Sequence, residues 1–178
     1  MNHDSYSDAY IRDILVQNRV IAMVGASPNA SRPSYFAMKY LLGKGYRVVP
    51  VNPGQAGKTI LDQRVFASLS DIGEPIEIVD IFRNSQAALP ITAEAIRIGA
   101  KVVWMQLGVR NDEAAQLAEQ AGLKVVMNRC PKIEYGRLSG EISWAGVNSG
   151  VLSSKRPLLG AKGGQQRALR SDTDEIGS

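Results

Sequence analysis

The segment from residue 25 to residue 34 has the residue types of an anion-binding loop. Gly25 and Ala26 have almost no side chain, so the backbone can approach a ligand closely. The helix-like stretch that follows offers free N–H groups and a partial positive charge at its start, and both attract an anion. Arg32 could add a charge-assisted contact through its guanidinium. Further hydrogen bonds could come from the hydroxyl groups of Ser27, Ser31 and Ser34.

The same segment also fits an ordinary turn between a strand and a helix. Ser31 is a suitable helix cap, and Pro33 is placed near the first turn of the helix. The segment lacks the Gly-x-Gly-x-x-Gly spacing of dinucleotide-binding loops, and one glycine in such a loop is a weak signal. The loop alone therefore leaves an anion site and a plain turn equally open.

Histidine and cysteine each occur once in the chain, as His3 and Cys130. These counts leave too few ligands for a Cys/His zinc site. A catalytic triad would need His3, which we expect in a frayed N-terminal segment. Cys130 lies beside Arg129 and Lys132 near a possible helix start, which could lower its pKa. Without a base to activate it, a buried and inert thiol is the better interpretation, and we predict no catalytic group.

Five short apolar runs alternate with helix-like stretches and must position these side chains. The runs are residues 19–25, 46–53, 76–82, 101–108 and 123–128. This alternation predicts a parallel sheet covered by helices on both faces. Right-handed crossovers make it a doubly wound, Rossmann-like α/β fold, for which we expect the strand order 3-2-1-4-5. The ligand crevice should then lie beyond the carboxyl ends of strands one and four, where the order reverses.

The ends of the second and third runs bear on the choice of nucleotide. Residues 49–58, which include Asn52 and Pro53, contain no carboxylate. An NAD site usually has an acidic residue here for the ribose hydroxyls, so its absence counts against NAD. Arg47 and Lys58 could still meet a phosphorylated ribose, which leaves NADP open. Phe82 ends the third run and Arg83 follows it, and the two side chains could flank an adenine or a pantetheine-like group. Asp80 lies within that run and should make a buried structural hydrogen bond.

Composition and charge limit the remaining classes of function. The chain has 178 residues, of which 44% are hydrophobic, and a net charge of +4 without a basic block. No apolar run reaches the roughly 20 residues that span a bilayer, and the polar N-terminus lacks the features of a secretion signal. We therefore expect a cytoplasmic protein that binds neither membrane nor nucleic acid. One domain should cover residues 1–158, with Trp144 packed on it, followed by a disordered polar tail at 159–178.

Four stretches of the chain carry a family resemblance: "VGASPNASRPSYFAMKYL", "YRVVPVNP", "VDIFR" and "GAKVVWMQLGVRNDEAAQLAEQAGLKVVMNRCPKIE". They resemble the small stand-alone CoA-binding proteins, which are single-domain relatives of the N-terminal CoA-binding domain of the succinyl-CoA synthetase alpha subunit. The resemblance extends from about residue 8 to about residue 158. It implies a Rossmann-like fold that binds coenzyme A or an acyl-CoA.

The resemblance also implies a set of ligand-binding positions, with the diphosphate nearest Ala26, Ser27 and Arg32. The matching positions are Gly25, Ala26, Ser27, Arg32, Pro33, Ser34, Val51, Asn52, Pro53, Ile81, Phe82, Arg83, Gln106, Leu107, Gly108, Asn128, Cys130 and Pro131. Succinyl-CoA synthetases use a phosphorylated histidine on a further domain, and this chain has no candidate for that histidine. The expected function is therefore CoA binding without catalysis, with CoA as the small-molecule partner and no protein partner identified.

Two other functions fit the same fold. One is an NAD(P)-dependent oxidoreductase or redox sensor, in which Tyr35, Tyr135 or Cys130 would have a chemical role. The other is a regulatory subunit that reports the level of acyl-CoA to another protein. The sequence identifies no such partner, and the missing carboxylate in residues 49–58 disfavours the oxidoreductase.

Overall fold

The computed structural model describes residues 1–141. The segment around Trp144, the predicted boundary at residue 158 and the predicted tail at 159–178 lie outside the described residues. The elements are α1 (Asp8–Gln17), β1 (Val20–Val24), α2 (Pro33–Gly43), β2 (Arg47–Val51), β3 (Thr59–Ile60), β4 (Gln63–Arg64), β5 (Ile78–Ile81), α3 (Ser85–Arg97), β6 (Val102–Met105), α4 (Asp112–Gln120), β7 (Lys124–Val126) and α5 (Pro131–Leu138), with 3-10 turns at Pro53–Gln55 and Leu69–Asp71.

Five of these strands form one parallel sheet in the order β2-β1-β5-β6-β7. The two remaining strands, β3 and β4, form a small antiparallel hairpin. The sheet strands are almost completely buried, as expected for a sheet covered on both faces. The predicted Rossmann-like α/β class is therefore confirmed.

The predicted strand order is wrong. The third of the five sheet strands, β5, pairs with β1 and not with β2, so the order in the predicted numbering is 2-1-3-4-5. The edge of β2 is occupied by the β2–β5 connection: the Phe66 amide donates to the Pro50 carbonyl (3.0 Å), and the Asn52 amide donates to the Phe66 carbonyl (2.9 Å). The reversal of order therefore lies between β1 and β5, as in flavodoxin-like sheets, and not between the first and fourth strands.

The two faces of the sheet carry different cores. On one face, Met23, Ile78 and Trp104 pack with large side chains of α1, α2 and α5. On the other face, Val79 and Met105 pack with alanines of α3 and α4. The alanine side chains let these two helices lie close to the sheet, because little side-chain volume separates helix and strand backbones. Both faces are thus covered, which confirms the predicted double winding.

The N-terminal segment protects the edge strand β7. The Tyr6 hydroxyl accepts a hydrogen bond from the Met127 amide (2.8 Å), and the Tyr10 hydroxyl accepts from the Val125 amide (3.2 Å) and donates to the Val125 carbonyl (3.1 Å). Free backbone groups at a sheet edge need partners, and these two phenols supply them.

The expectation of a frayed segment around His3 is wrong, because His3 is only 8% exposed. Its Nδ1 lies 3.0 Å from the Tyr6 hydroxyl, and its Nε2 lies 3.4 Å from a carboxylate oxygen of Glu119. Since the Tyr6 oxygen already accepts the Met127 amide, its hydroxyl hydrogen is available to donate to Nδ1 of a neutral imidazole.

No helix in the part of the chain that the structure describes is long and apolar enough to cross a membrane. This observation agrees with the absence of a long apolar run in the sequence.

Burial lowers the pKa of His3, with the Glu119 carboxylate partly opposing the shift. The unfolded chain therefore takes up a proton more readily than the folded one as the pH falls below about 6.5, and folded-state stability is lost in that range. We expect urea unfolding between pH 7 and 5 to show a larger loss of stability for the wild type than for His3→Gln. Parallel pH profiles of the two proteins would contradict this prediction.

Candidate functional site

The carboxyl ends of β1, β2 and β5 are tied together by backbone hydrogen bonds. The Gly25 amide donates to the Val51 carbonyl (2.9 Å), and the Phe82 amide donates to the Val24 carbonyl (2.8 Å). Residues that follow three neighbouring strands therefore lie side by side where the strand order reverses. In open α/β sheets this is the place where ligands bind, so it is the candidate site.

Gly25 permits the closest approach of backbones in this crevice. It has φ of +91°, and a Cβ atom there would lie 2.6 Å from the carbonyl oxygen of Phe82 and 3.0 Å from Cδ of Arg83. No real side chain tolerates a contact of 2.6 Å with backbone, and a positive φ is itself strained for residues other than glycine. The position therefore requires glycine for two separate reasons.

The loop after Gly25 leaves the start of α2 without a side-chain cap. Asn29 organises this loop, because its Oδ1 accepts from both the amide (2.9 Å) and the hydroxyl (2.8 Å) of Ser31. The predicted capping role of Ser31 is therefore wrong: Arg32 is at the cap position, and it makes no side-chain cap hydrogen bond. An uncapped helix start retains its capacity to bind an anion. The structure thus favours the anion site over the plain capped turn.

Two exposed guanidinium groups lie at the two ends of the loop between β1 and α2. Arg32 precedes α2, and Arg83 follows β5 beside Gly25. Neither guanidinium forms an ion pair or hydrogen bond with any of residues 1–141, whereas the guanidinium of Arg47 is paired with Glu74. A guanidinium without a carboxylate partner is free to bind a phosphate with two parallel hydrogen bonds.

Asn52 joins the end of β2 to the loop after β1. Its Nδ2 donates to the Ala26 carbonyl (2.8 Å), and its Oδ1 accepts from the Gly54 amide (2.9 Å). Both ends of the amide side chain are therefore engaged in shaping the crevice. This position, where an NAD site usually carries an acid, fixes backbone geometry through a neutral residue.

The predicted site residues all lie at the carboxyl ends of the five parallel strands or at the starts of α2 and α5. Their side chains differ in exposure. The buried ones are Ala26, Ser34, Val51, Ile81, Gln106, Cys130 and Pro131. Those at least partly exposed are Gly25, Ser27, Arg32, Pro33, Asn52, Pro53, Phe82, Arg83, Leu107, Gly108 and Asn128. The edge of the sheet brings all of them to one side of the molecule, but not all of them to one pocket.

Gly108 and Asn128 lie farther from the crevice. Asn128 Oδ1 accepts from the Gly108 amide (2.8 Å), so these two residues are held together at the ends of β6 and β7. Neighbouring strands are about 4.8 Å apart, which places this pair roughly 10–14 Å from the Gly25 position along the sheet. Only an extended ligand could contact both groups.

Gln106 points into the protein and not toward a ligand. Its Nε2 donates to both carboxyl oxygens of Asp80, at 3.0 and 3.2 Å, and Asp80 is completely buried. This contact confirms the buried structural hydrogen bond expected for Asp80. Burial raises the pKa of Asp80 to about 8, against the opposing effect of the Gln106 hydrogen bond.

Cys130 lies at the start of α5 and is 1% exposed. Burial raises the pKa of its thiol to about 12, although the amides of Ile133 and Lys132 oppose the shift. The thiolate is the nucleophilic form, so this side chain is un-ionised and shielded at neutral pH. The geometry agrees with the interpretation of Cys130 as a buried thiol.

A cavity of about 260 Å³ opens beside Gly25 on the α3 side of the sheet. The prediction identified part of its lining, including Val51, Asn52 and Arg83, but missed Ser68 and Glu94. Ser68 follows a connection without helical or strand periodicity. Glu94 looks from its spacing like any charged residue of an amphipathic helix. Glu94 Oε1 accepts hydrogen bonds from the amide and the hydroxyl of Ser70, both at 3.0 Å. These contacts distinguish Glu94 from other charged residues of α3, but they join residues 24 positions apart and leave no local sequence signal.

The fold and the crevice define the protein as a doubly wound α/β domain with an anion-ready loop at its topological switch point. Comparison with known families makes this class specific. The chain belongs to the family of CoA-binding domains, whose model matches residues 19–136.

Three similar proteins cover most of the chain. The uncharacterized protein YneT of Bacillus subtilis (strain 168) is 35% identical over 129 residues, which are 72% of this chain and 94% of that protein. A hypothetical protein from Pyrococcus horikoshii OT3 is 42% identical, with a TM-score of 0.72 and coverage of 78% of this chain and 96% of that one. A Thermus thermophilus structure is 36% identical, with a TM-score of 0.71 and coverage of 74% and 98%.

The close approach at Gly25 predicts a costly substitution. Gly25→Ala should destabilise the fold by about 2–4 kcal/mol, because positive φ and the clash with the Phe82 carbonyl act together. Gly57→Ala is the matched control, since Gly57 has φ of +82° but a Cβ atom added there would meet no other atom within 4 Å. Urea unfolding of both variants should show a larger loss for Gly25→Ala. Equal losses would mean that the clash is relieved at little cost.

The buried carboxyl of Asp80 predicts an opposite pH effect to that of His3. The folded protein keeps the Asp80 proton up to about pH 8, whereas an unfolded aspartate loses it near pH 4, so stability falls as pH rises between these values. Asp80→Asn removes this titration. We expect its stability relative to the wild type to increase from pH 5 to pH 8 by up to about 1.4 kcal/mol per pH unit in urea unfolding.

Asp62→Asn in the exposed β3–β4 turn is the control for Asp80→Asn. Its stability difference from the wild type should stay constant over the same pH range. A constant difference for Asp80→Asn as well would show that the buried carboxyl is already ionised at pH 5.

Proposed function

We propose that this protein binds coenzyme A or an acyl-CoA at the crevice between β1, β2 and β5, without catalysis of its own. Membership of the CoA-binding domain family supports a CoA-related ligand. The observation that carries the proposal is the uncapped start of α2 together with the guanidinium groups of Arg32 and Arg83, which have no partner among residues 1–141. CoA carries a diphosphate and a ribose phosphate, so it offers several anionic groups to such a site.

The end of β2 supports a phosphorylated ribose over the free ribose of NAD. An NAD site hydrogen-bonds the ribose hydroxyls through a carboxylate at this position. Residues 49–58 contain no carboxylate, and Asn52 uses both ends of its amide on backbone groups. A carboxylate here would repel a phosphate on the same ribose. Its absence removes that repulsion and removes the usual anchor for NAD.

The positions of the two candidate chemical groups support a binding role. The Cys130 thiol is buried and its pKa is raised to about 12. His3 is held against Tyr6 and Glu119 at the β7 edge, four strands away from β2 in the sheet. Neither group lies in the crevice beside Gly25. The proposal includes a cytoplasmic location, which agrees with a single unpaired cysteine.

Calorimetry with CoA, acetyl-CoA, dephospho-CoA, NADH and NADPH tests the proposal. CoA should bind, and dephospho-CoA should bind more weakly if the ribose phosphate is recognised. At a CoA concentration of one hundred times its dissociation constant, the fold should gain about 2.7 kcal/mol of stability. No heat and no stabilisation with CoA, alongside clear binding of NADPH, would overturn the proposal in favour of the oxidoreductase alternative.

Arg32→Ala tests the anion contact itself. We expect CoA affinity to fall by about 1.5–3 kcal/mol, because a hydrogen bond to a charged group is lost. Arg97→Ala is the control, since Arg97 is an exposed arginine in the last turn of α3, away from the crevice. The readout is the dissociation constant from calorimetry, with unfolding curves to verify that both variants fold. An unchanged dissociation constant for Arg32→Ala would show that Arg32 does not contact CoA.

A further inference from the structure

We infer that binding of an anionic ligand at the crevice is coupled to the uptake of a proton by Asp80, the buried carboxyl of the central strand β5. The inference rests on the proposed function, because the anion concerned is the proposed CoA or acyl-CoA. It goes further by giving the site a pH dependence and by naming the group that sets it.

Asp80 lacks the partners that an ionised carboxylate needs. It is completely buried in the middle strand of the sheet, between Met23 of β1 and Trp104 of β6 in the strand register. Its one side-chain hydrogen-bond donor among residues 1–141 is the neutral amide of Gln106, whose Nε2 lies 3.0 and 3.2 Å from the two carboxyl oxygens. A single neutral donor does not replace the lost hydration of a carboxylate, so the carboxyl keeps its proton until the pH nears its pKa of about 8.

The Asp80 side chain lies on the same face of the sheet as α2. Side chains alternate along a strand, so Asp80 shares the face of Ile78, which packs in the core formed with α1, α2 and α5. Phe82 follows two residues later, and its carbonyl oxygen is the one that approaches Gly25. At about 3.3 Å per residue, Asp80 lies roughly 7 Å along the strand from this point and about 10 Å from an anion bound in the crevice.

The helices that cover this face present few titratable groups to Asp80. α1 and α2 bury only uncharged side chains against the sheet. The Cys130 thiol at the start of α5 lies near the Asp80 carboxyl, and its pKa of about 12 leaves it neutral while Asp80 titrates. The other titratable or charged side chains of this core, of α5 and of the crevice are Arg32, Tyr46, Arg83, Lys132, Glu134, Tyr135 and Arg137. None of them shifts the pKa of Asp80, which is set by burial and by the Gln106 hydrogen bond.

The negative charge of the ligand decides the direction of the coupling. A phosphate in the crevice repels an ionised Asp80 and does not repel the neutral carboxyl, so ligand binding raises the pKa of Asp80. For one pair of charges about 10 Å apart, at an effective dielectric constant near 20, the shift is about one pKa unit, which is a ten-fold change in affinity.

The affinity for the anion is therefore highest while Asp80 is protonated. It falls as the pH rises through the pKa of Asp80 in the free protein, about 8, and levels off above the pKa of Asp80 in the complex, about one unit higher. Between these two values the complex holds a proton that the free protein has released, so binding takes a proton from the solution.

Calorimetric titration with acetyl-CoA from pH 7.5 to 9.5 tests the inference. Acetyl-CoA has no free thiol, and its phosphates are already ionised in this range, so the charge of the ligand stays constant. The dissociation constant of the wild type should rise by about five-fold or more relative to that of Asp80→Asn, because the asparagine stays neutral throughout. At pH 8.5, titrations in buffers of different ionisation enthalpy should show that the wild type takes up about half a proton more per ligand than Asp80→Asn.

Two further variants control for other titrating groups. Asp62→Asn removes an exposed carboxylate in the β3–β4 turn and should behave like the wild type. Lys132 is the second group to control, since partial burial lowers its pKa and the loss of its positive charge at high pH would also weaken anion binding. The proton uptake at pH 8.5 should therefore persist in Lys132→Gln.

The outcomes separate the inference from the proposed function. If acetyl-CoA binds with the same pH dependence to the wild type and to Asp80→Asn, the proton coupling is wrong and the proposed function stands. If neither CoA nor acetyl-CoA binds at any pH, the proposed function fails and the inference fails with it. Should Asp80→Asn not fold, the proton uptake of Lys132→Gln at pH 8.5 decides: about half a proton supports the coupling, and none overturns it.

Discussion

The approach of the β1 end to the β5 end at Gly25 is the constraint on which the candidate site depends. A Cβ atom at this position would lie 2.6 Å from the Phe82 carbonyl oxygen, so the two backbones are closer than any side chain allows. The pairing of β1 with β5 creates this approach, and the β1–β2 pairing brings Asn52 to the other side. The loop that leads to α2, the Arg83 side chain and the α3 cavity all adjoin this one glycine.

The sheet strands and the class of fold could be predicted from the sequence, because buried parallel strands are continuous apolar runs. The strand order could not. It depends on Phe66, which makes two backbone hydrogen bonds along the β2 edge and thereby occupies the place that a neighbouring strand would take. One residue that pairs in this way leaves no periodic pattern. The same limit applies to Ser31, whose hydroxyl donates to Asn29, and to His3, which contacts Tyr6 and the carboxylate of Glu119 in the distant helix α4.

The position of the candidate site at the carboxyl edge of the sheet follows from the sequence more directly than the contacts of its side chains. Parallel strands share one carboxyl edge, so the strand ends had to meet there whatever the order. Which side chains face a ligand depends on short-range geometry instead. Gln106 turns inward because Asp80 is buried beside it and needs a donor. Glu94 is held at the cavity by Ser70, because the Leu69–Asp71 turn packs on α3 and brings the Ser70 amide to the Glu94 carboxylate.

The two faces of the sheet offer different chemistry on either side of Gly25. On one face the uncapped start of α2 and the Arg32 guanidinium offer positive charge to an anion. On the other face the alanine-rich side of α3 lies close to the sheet, and an apolar cavity with one carboxylate remains at its end. A simple anion would use only the first region, and a simple apolar compound only the second. The proposed ligand, CoA, carries phosphates as well as apolar groups, so it has chemistry that fits both regions on either side of Gly25.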